Sequence, residues 1–322
     1  MPRILTGIQS TGIPHIGNIL GAIQPAIQLS KIRENDCFYF IANLHTINQI
    51  KDKQALRQNT LLTAAVWLAL GLDTKNSHFF KQSDIPQVTE LMWYLLCFFP
   101  FSRMELAHSF KDKKERLEDV NGGLFTYPML MAADILLYDA DIVPVGKDQL
   151  QHLEMTRDVA QRFNNQMGEI ITIPEAKINA QTQLILGTDG TKMSKSKNNF
   201  IDIFLPEKQL RKQIMSIVSD SKSLEEPKDP NNDVTFSIFS AIAKPNEVEN
   251  MKKNYLNGNY GYGHAKQELF ELIMREFSEQ REKFNYYKEN LEEVESALKE
   301  GAEKTKPIAT KTLERVRNSF NL

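Results

Sequence analysis

The fold is decided by the stretch Thr6-Gly7-Ile8-Gln9-Ser10-Thr11-Gly12-Ile13-Pro14-His15-Ile16-Gly17-Asn18, near the N-terminus. Apolar residues precede it and a long apolar segment follows, so the pattern predicts a strand, a glycine-rich loop and the start of a helix. Backbone N–H groups at a helix start favour phosphate, and glycine lets a ligand approach the backbone closely. This stretch alone leaves another interpretation open, a surface turn with a solvated histidine.

Length and composition indicate an ordinary globular protein. The 322 residues allow two domains, and 41% of them are apolar and 25% charged. A net charge of −2 argues against a general nucleic-acid coat, and two cysteines are too few for a disulfide framework or a zinc site. The most apolar run, residues 91–101, is too short to cross a bilayer, and no leader pattern is visible. We expect a cytoplasmic protein with no membrane partner, no DNA partner and no metal site of its own.

Buried strand patterns alternate with helical patterns in the first half of the chain. Apolar runs of strand length occupy residues 37–42, 77–82 and 141–145, and residues 52–70 show helical spacing that ends at Gly71. This alternation predicts an α/β fold with a doubly wound parallel sheet. Residues 91–101 are richer in large apolar side chains than one helix needs, so they form either a core helix or part of a subunit interface.

Several polar side chains stand where such a sheet would bind a ligand. His45, Asp148 and Gln149 follow predicted strands, and parallel sheets bind ligands at those ends, although a lone histidine is more often structural. Asp134 lies in an apolar run with no cationic side chain within one helical turn. Since a buried unpaired carboxylate is costly, Asp134 either faces solvent or accepts a hydrogen bond from a ligand, and its apolar neighbours favour the ligand.

A second glycine-containing stretch, residues 187–199, carries three lysines within six residues. Small hydroxyl residues separate the lysines, which indicates a mobile cationic loop. Such a loop can close over a polyphosphate and stabilise charge on a leaving pyrophosphate. A generic basic loop is the alternative, but the order Lys192-Met193-Ser194-Lys195-Ser196 is far less generic than a lysine count.

The chain becomes helical and charged beyond Pro206. Helical patterns cover residues 207–219, 234–243 and 264–300. Residues 299–317 contain six basic and three acidic residues. This local excess of positive charge is either an RNA-facing patch or a solvated surface.

The motif His15-Ile16-Gly17-Asn18, paired with Lys192-Met193-Ser194-Lys195-Ser196, resembles the two signatures of class I aminoacyl-tRNA synthetases. The first signature usually ends in histidine, and Asn18 is a variant that the tryptophanyl and tyrosyl branch tolerates. Over nearly its whole length the chain is similar to bacterial-type tryptophanyl-tRNA synthetases. The stretches that carry this similarity include Gly7-Ile8-Gln9, Thr126-Tyr127-Pro128, Leu130-Met131-Ala132-Ala133-Asp134 and Asp141-Ile142-Val143-Pro144-Val145-Gly146.

The resemblance implies an architecture and a reaction. It implies a Rossmann-type catalytic domain in residues 1–200, with a dimer-forming insertion around residues 85–165, and a smaller all-helical, anticodon-binding domain in residues 201–322. The implied enzyme is a homodimer that attaches tryptophan to its tRNA, using ATP, through a tryptophanyl-adenylate. Mg²⁺ would be carried by ATP.

The resemblance also implies roles for individual residues. Asp134 would accept the indole N–H of tryptophan. The other residues implied to bind tryptophan are Gly7, His45, Tyr127, Met131 and Gln149. Those implied to act in catalysis are His15, Asn18, Lys113, Lys192 and Lys195. Those implied to bind ATP are Gln9, Gly17, Asp148, Met193, Ser194 and Ser196.

Three other functions compete with this interpretation. The sister family, tyrosyl-tRNA synthetase, is disfavoured because the segment around Asp134 resembles the tryptophan version. A synthetase-derived RNA-binding or regulatory protein without catalysis is disfavoured by the intact lysine loop. A small-molecule adenylyltransferase of the same fold would not need the helical C-terminal region.

Overall fold

The computed structural model describes residues 1–106, 121–146, 149–178 and 185–322. Within these ranges a five-stranded parallel sheet has the order β3-β2-β1-β4-β5. The strands are β1 (Arg3–Ile8), β2 (Asp36–Ile41), β3 (His78–Lys81), β4 (Ile142–Val145) and β5 (Glu175–Ile178). The doubly wound sheet predicted from the sequence is therefore confirmed. Because the strand order reverses beside β1, ligands are expected at the carboxyl ends of β1 and β4.

The helical segment after the glycine-rich loop is continuous but not uniform. It consists of α1 (Ile16–Asn18), a π-helical turn (Ile19–Ile23) and α2 (Gln24–Ser30). Pro25 lies in the first turn of α2 and has no N–H to donate to the preceding turn. The wider π turn directly upstream therefore lets the helix continue past the proline.

In the described part of the first 170 residues, six further α-helices follow. They are α3 (Asn43–Thr46), α4 (Lys53–Ala69), α5 (Gln87–Phe98), α6 (Phe101–Met104), α7 (Gly122–Leu136) and α8 (Leu150–Met167). Asp52 caps α4 by accepting a hydrogen bond from the Ala55 N–H at 2.7 Å. One apolar core lies between α4 and one face of the sheet, and a second lies between α5, α7, α8 and the other face.

Residues 201–322, all of which the structure describes, contain helices and no strand. The helices are α9 (Glu207–Met215), α10 (Val234–Ser240), α11 (Pro245–Asn257), α12 (Tyr262–Glu276), α13 (Ser278–Glu289) and α14 (Leu291–Ser319). The helical pattern predicted for residues 264–300 is confirmed, and breaks at Phe277 and Asn290 divide it among three helices. In the described parts of the chain, no helix is long and apolar enough to cross a membrane.

The last helix, α14, returns to the sheet and packs on β3. A Cβ atom on Gly301 would stand 1.8 Å from the carbonyl oxygen of Phe79, so glycine is what permits this close approach. Thr305 on the same helix hydrogen-bonds the His78 ring at 3.1 Å. The C-terminal helix therefore belongs to the packing of the sheet itself.

Basic side chains near the C-terminus form ion pairs with the first half of the chain. Arg315 contacts Asp139 at 2.5 Å, and Arg317 contacts both carboxylate oxygens of Glu90 at 2.7 and 2.6 Å. Both arginines are therefore paired with carboxylates from the first half of the chain, although their side chains remain partly exposed.

Candidate active site

The two motifs that lie about 180 residues apart in sequence adjoin in the structure. Gly12 has φ of +123°, and a Cβ at this position would stand 3.3 Å from Nζ of Lys195. A Cβ on Gly17 would stand 3.5 Å from Sδ of Met193. The backbone N–H of Ile16 donates to the Ile201 carbonyl at 2.9 Å, just beyond the cationic loop. The glycine-rich loop and the cationic loop therefore form one surface.

His15 caps the helix that follows the glycine-rich loop. Its Nδ1 accepts from the Asn18 N–H at 3.2 Å, and the Asn18 side-chain oxygen accepts from the His15 N–H at 3.2 Å. Burial and the nearby charge of Lys195 lower the pKa of His15 to about 4. The imidazole is therefore neutral at pH 7, with its proton on Nε2, and can donate a hydrogen bond to a phosphate oxygen.

Lys195 is half-buried beside the glycine-rich loop. Burial lowers the pKa of its ammonium group to about 8, and the nearby carboxylate of Asp202 acts in the opposite direction. Asp202 is itself buried, which raises its pKa, and it accepts a hydrogen bond from the Phe204 N–H at 2.9 Å. Lys195 is thus mostly charged at neutral pH in a poorly solvated position, where a cation interacts strongly with an anion.

One side chain organises the cationic loop. Asn199 is buried, and its Oδ1 accepts from the Ser194 N–H at 2.8 Å. Its Nδ2 donates to Oδ1 of Asp189 at 2.7 Å and to the Lys192 carbonyl at 3.1 Å. The hydroxyl groups of Ser194 and Ser196 lie 3.2 Å apart on the same loop. Asn199 was not predicted as a site residue from the sequence, because its role depends on its contacts across the loop.

A second cluster surrounds Asp134, which is 2% exposed and so does not face solvent. Its Oδ2 accepts from Nε2 of His45 at 2.9 Å, and both of its oxygens lie 2.8 Å from Nε2 of Gln82. Burial raises the pKa of Asp134, while the hydrogen bonds from His45 and Gln82 act in the opposite direction. The carboxylate that the sequence left without a partner is therefore held by residues from two neighbouring strand ends.

Gln82 is a candidate site residue that was not predicted from the sequence. It directly follows β3 and is 1% exposed. Its Oε1 accepts from the N–H groups of Leu44 and His45 at 3.0 and 3.4 Å, at the start of α3. The sequence analysis placed Gln82 inside the predicted strand 77–82, whereas the strand ends at Lys81 and leaves Gln82 at its carboxyl end, where parallel sheets bind ligands.

One face of α7 carries three of the residues implied to bind tryptophan. Tyr127, Met131 and Asp134 are spaced by four and three residues, which places them on the same side of a helix. The Tyr127 hydroxyl lies 2.8 Å from Nε2 of His152, and its ring meets the His45 ring edge-on at 6.2 Å. Gln149 directly precedes α8, and its N–H donates to the Gly146 carbonyl at 3.0 Å.

Buried hydroxyl groups connect the two clusters. The Ser10 N–H donates to Oγ1 of Thr46 at 3.0 Å, and Thr46 directly follows His45 on α3. Thr60 donates to the Ser10 hydroxyl at 3.2 Å, and Thr63 donates to the Gly12 carbonyl at 3.3 Å. The glycine-rich loop is therefore tied to the same short helix that carries His45.

The other predicted site residues lie at the end of β1 or outside the described residues. A Cβ on Gly7 would stand 2.3 Å from the Phe40 ring, so glycine at this position makes room for that ring. Gln9 is exposed, and its Oε1 accepts from Nε2 of Gln49 at 3.3 Å. Lys113 and Asp148 lie outside the described residues. Within the described ranges, no group of three or more His, Cys, Asp or Glu residues is arranged to hold a metal ion.

Known proteins resemble this chain over its whole length. A family model described as tRNA synthetases class I (W and Y) matches residues 1–278. A tryptophan–tRNA ligase of Fusobacterium nucleatum is 45% identical over 325 residues, which cover 100% of this chain and 98% of the relative.

Solved structures agree with the sequence comparison. A crystal structure of tryptophanyl-tRNA synthetase from Campylobacter jejuni, complexed with ADP and tryptophan, superposes with a TM-score of 0.92 at 45% identity and covers 99% of this chain and 100% of that one. The Mycoplasma pneumoniae tryptophanyl-tRNA synthetase superposes with a TM-score of 0.85 at 30% identity, covering 100% of this chain and 98% of that one.

Proposed function

The chain belongs to the class I tRNA synthetases, in the bacterial tryptophan-specific branch, and we propose from this membership that its two clusters bind ATP and tryptophan. The protein attaches tryptophan to tRNA, as the sequence predicted, and the alternatives without catalysis or with tyrosine as substrate are disfavoured. Asp134 is the observation that carries the assignment of the amino-acid site, because it is a buried carboxylate anchored by two donors on an otherwise apolar helix face.

Asp134 is proposed to accept the indole N–H of tryptophan. Tyr127 and Met131 share its helix face, so they would line the same pocket, and His45 would hold the carboxylate through Nε2. A site built to accept a hydrogen bond strongly rejects a ligand that lacks the donor, since the acceptor would then stay buried and unpaired. Phenylalanine should therefore be excluded by the missing N–H, and tyrosine by its shape and the position of its hydroxyl.

The joined glycine-rich and cationic loops are proposed to bind ATP. The neutral imidazole of His15 would donate to a phosphate oxygen, and Lys192 and Lys195 would bring positive charge over the phosphates. Gly12 and Gly17 leave room for the backbone to approach the nucleotide, while Met193 packs beside Gly17. The relative from C. jejuni was crystallised with ADP and tryptophan, which supports a nucleotide beside the amino acid.

The reaction then needs no protein nucleophile. A carboxylate oxygen of tryptophan attacks the α-phosphorus of ATP, a new P–O bond forms, and the bond to the departing pyrophosphate breaks. A terminal hydroxyl of the tRNA next attacks the activated carbonyl, loses its proton, and releases AMP. The enzyme aligns the reactants, and Lys195 stabilises the charge that develops on pyrophosphate. Mg²⁺ would arrive with ATP, held by its phosphate oxygens and water.

We further propose that residues 1–200 carry the chemistry and that residues 201–322 read the tRNA anticodon. The protein would act as a cytoplasmic homodimer. Trp93 on α5 and Phe101 on α6 are 65% and 67% exposed, and both lie in or beside the apolar run 91–101. Large exposed aromatic side chains are typical of subunit interfaces, which supports this face as the dimer contact.

Exchange of labelled pyrophosphate into ATP tests the proposal. Exchange should depend on tryptophan and should not occur with phenylalanine. The Asp134→Asn variant should lose most of its kcat/KM for tryptophan, because it changes the acceptor. Exchange supported by tyrosine in place of tryptophan would overturn the assignment of the pocket.

A further inference from the structure

Gln82 is the most buried polar residue in contact with Asp134, and the reaction proposed for this site does not involve it directly. Building on the proposed function of Asp134, we propose that Gln82 is the positioning residue that sets the preference for an indole N–H. It would act through the carboxylate and would not touch the substrate.

The side-chain amide of Gln82 has a fixed orientation. Its Oε1 accepts from two backbone N–H groups at the start of α3, those of Leu44 and His45. Backbone N–H groups can only donate, so Nε2 must face Asp134. The distances of 2.8 Å from Nε2 to each carboxylate oxygen place the amide group symmetrically over the carboxylate.

This arrangement leaves one carboxylate oxygen better suited to a ligand. Each carboxylate oxygen offers about two lone pairs. Among the described residues, Oδ2 of Asp134 accepts from both His45 and Gln82, whereas Oδ1 accepts from Gln82 alone. Oδ1 is therefore the oxygen with remaining capacity, and Gln82 fixes the direction in which it points.

Gln82 also anchors the helix that carries the other partner of Asp134. The N-terminus of α3 has no cap from its own preceding residue, Ala42, and the Gln82 oxygen occupies that position. Loss of the amide would therefore release the carboxylate and loosen His45 together. A residue that only filled space would provide neither constraint.

The test compares two substrates that differ in one hydrogen-bond donor. The first is tryptophan, and the second is the analogue in which sulfur replaces the indole N–H, β-(3-benzothienyl)alanine. Pyrophosphate exchange gives kcat/KM for both substrates with the wild type and with Gln82→Met. The matched control is Gln87→Met, because Gln87 donates to Oγ1 of Thr310 at 2.9 Å, away from the pocket.

We expect Gln82→Met to reduce the preference for tryptophan over the sulfur analogue by about tenfold or more. Only tryptophan donates a hydrogen bond to Asp134, so only tryptophan depends on the orientation of that carboxylate. Gln87→Met should retain the wild-type preference. An equal fall for both substrates with Gln82→Met would show a purely structural role and overturn the inference. Absence of tryptophan-dependent exchange in the wild type would instead overturn the proposed function itself.

Gln82→Glu keeps the shape of the side chain and provides a second measurement, which also serves if Gln82→Met does not fold. Two facing carboxyl groups can share one proton, so acidification restores an O–H donor toward Asp134. The preference for tryptophan should be low at pH 8 and recover toward pH 6. A preference that does not change with pH in this variant would contradict the inference.

Discussion

Lys195 rests on the glycine-rich loop: its Nζ lies 3.3 Å from the position that a Cβ would take on Gly12. Position 12 is therefore constrained by its own backbone, with φ of +123°, and by the cation above it. Position 12 therefore has two requirements: a residue that tolerates a positive φ, and space for the side chain of Lys195.

Gly12→Ala should lower the rate of pyrophosphate exchange by about tenfold or more, because the methyl group displaces Lys195 and strains the loop. The control is Gly71→Ala, since Gly71 also has positive φ, +89°, but has no atom within 4 Å of the position that a Cβ would take. Both variants should lose stability, by roughly 1 kcal/mol, while only Gly12→Ala loses activity. Equal rates for the two variants would contradict the role given to Lys195.

The pH profile should reveal Lys195. Its pKa is lowered to about 8 by burial, so the charged form prevails below pH 8 and is lost as pH rises. We expect kcat/KM for ATP, which reports the free enzyme, to fall above about pH 8. Lys195→Arg should remove this decline, since arginine stays charged, whereas Lys195→Ala should lower kcat far more than the affinity for tryptophan. A flat profile in the wild type would speak against a transition-state role.

His15 combines a structural and a chemical role that two variants should separate. His15→Asn retains an acceptor near Nδ1 for the helix cap but removes the Nε2 donor, so it should melt near the wild-type temperature with strongly reduced exchange. His15→Gln retains an N–H donor on a longer side chain but loses the hydrogen bond that caps the helix. Loss of this cap should lower the stability by about 1 kcal/mol. Since the pKa of His15 is lowered to about 4, its protonation should leave rates unchanged between pH 6 and 8.

Gly301→Ala should destabilise the whole fold. The new Cβ would stand 1.8 Å from the Phe79 carbonyl oxygen, so α14 must move away from β3. Overpacking of this kind costs about 3 kcal/mol, measurable by urea unfolding. Gly263→Ala is the control, because this helical glycine has open space around its Cβ position and alanine is the better helix former. A stable Gly301→Ala protein would show that the contact tolerates a shift.

Trp93→Lys should convert the proposed homodimer into monomers, as measured by sedimentation. The substitution puts a charge into the apolar face around Trp93, which is 65% exposed in a single chain. Leu256→Lys alters a comparably exposed residue on α11 and should leave the oligomeric state unchanged. A dimer that survives Trp93→Lys would place the subunit contact elsewhere.

The sequence predicted the elements whose signals are local. The buried apolar runs located β1 to β4, and the glycine-rich loop located the first helix. The short strand β5 carries no comparable apolar run, and α11 begins with Pro245 and Asn246, which are typical of loops. A helix nevertheless starts at Pro245, because proline suits the first helical turn. Glu247 supports this start by accepting a hydrogen bond from the Lys244 N–H at 3.0 Å.

The contacts within the candidate site depended on tertiary structure. Asp134 stood alone in its segment because its partners, His45 and Gln82, lie 89 and 52 residues away. The ion pairs of Arg315 and Arg317 likewise cross more than half of the chain. A periodicity or a motif describes neighbours in sequence, so these partners were visible only once the strand order placed β2 and β3 side by side.

The packing of α14 on β3 has a consequence for synthesis of the protein. β3 (His78–Lys81) is made well before the helix that covers it, which spans Leu291–Ser319. Until α14 has been made, the apolar residues Phe79 and Phe80 lack its cover, and the sheet cannot complete its core. The sheet of this enzyme therefore completes its packing only when synthesis has passed through α14.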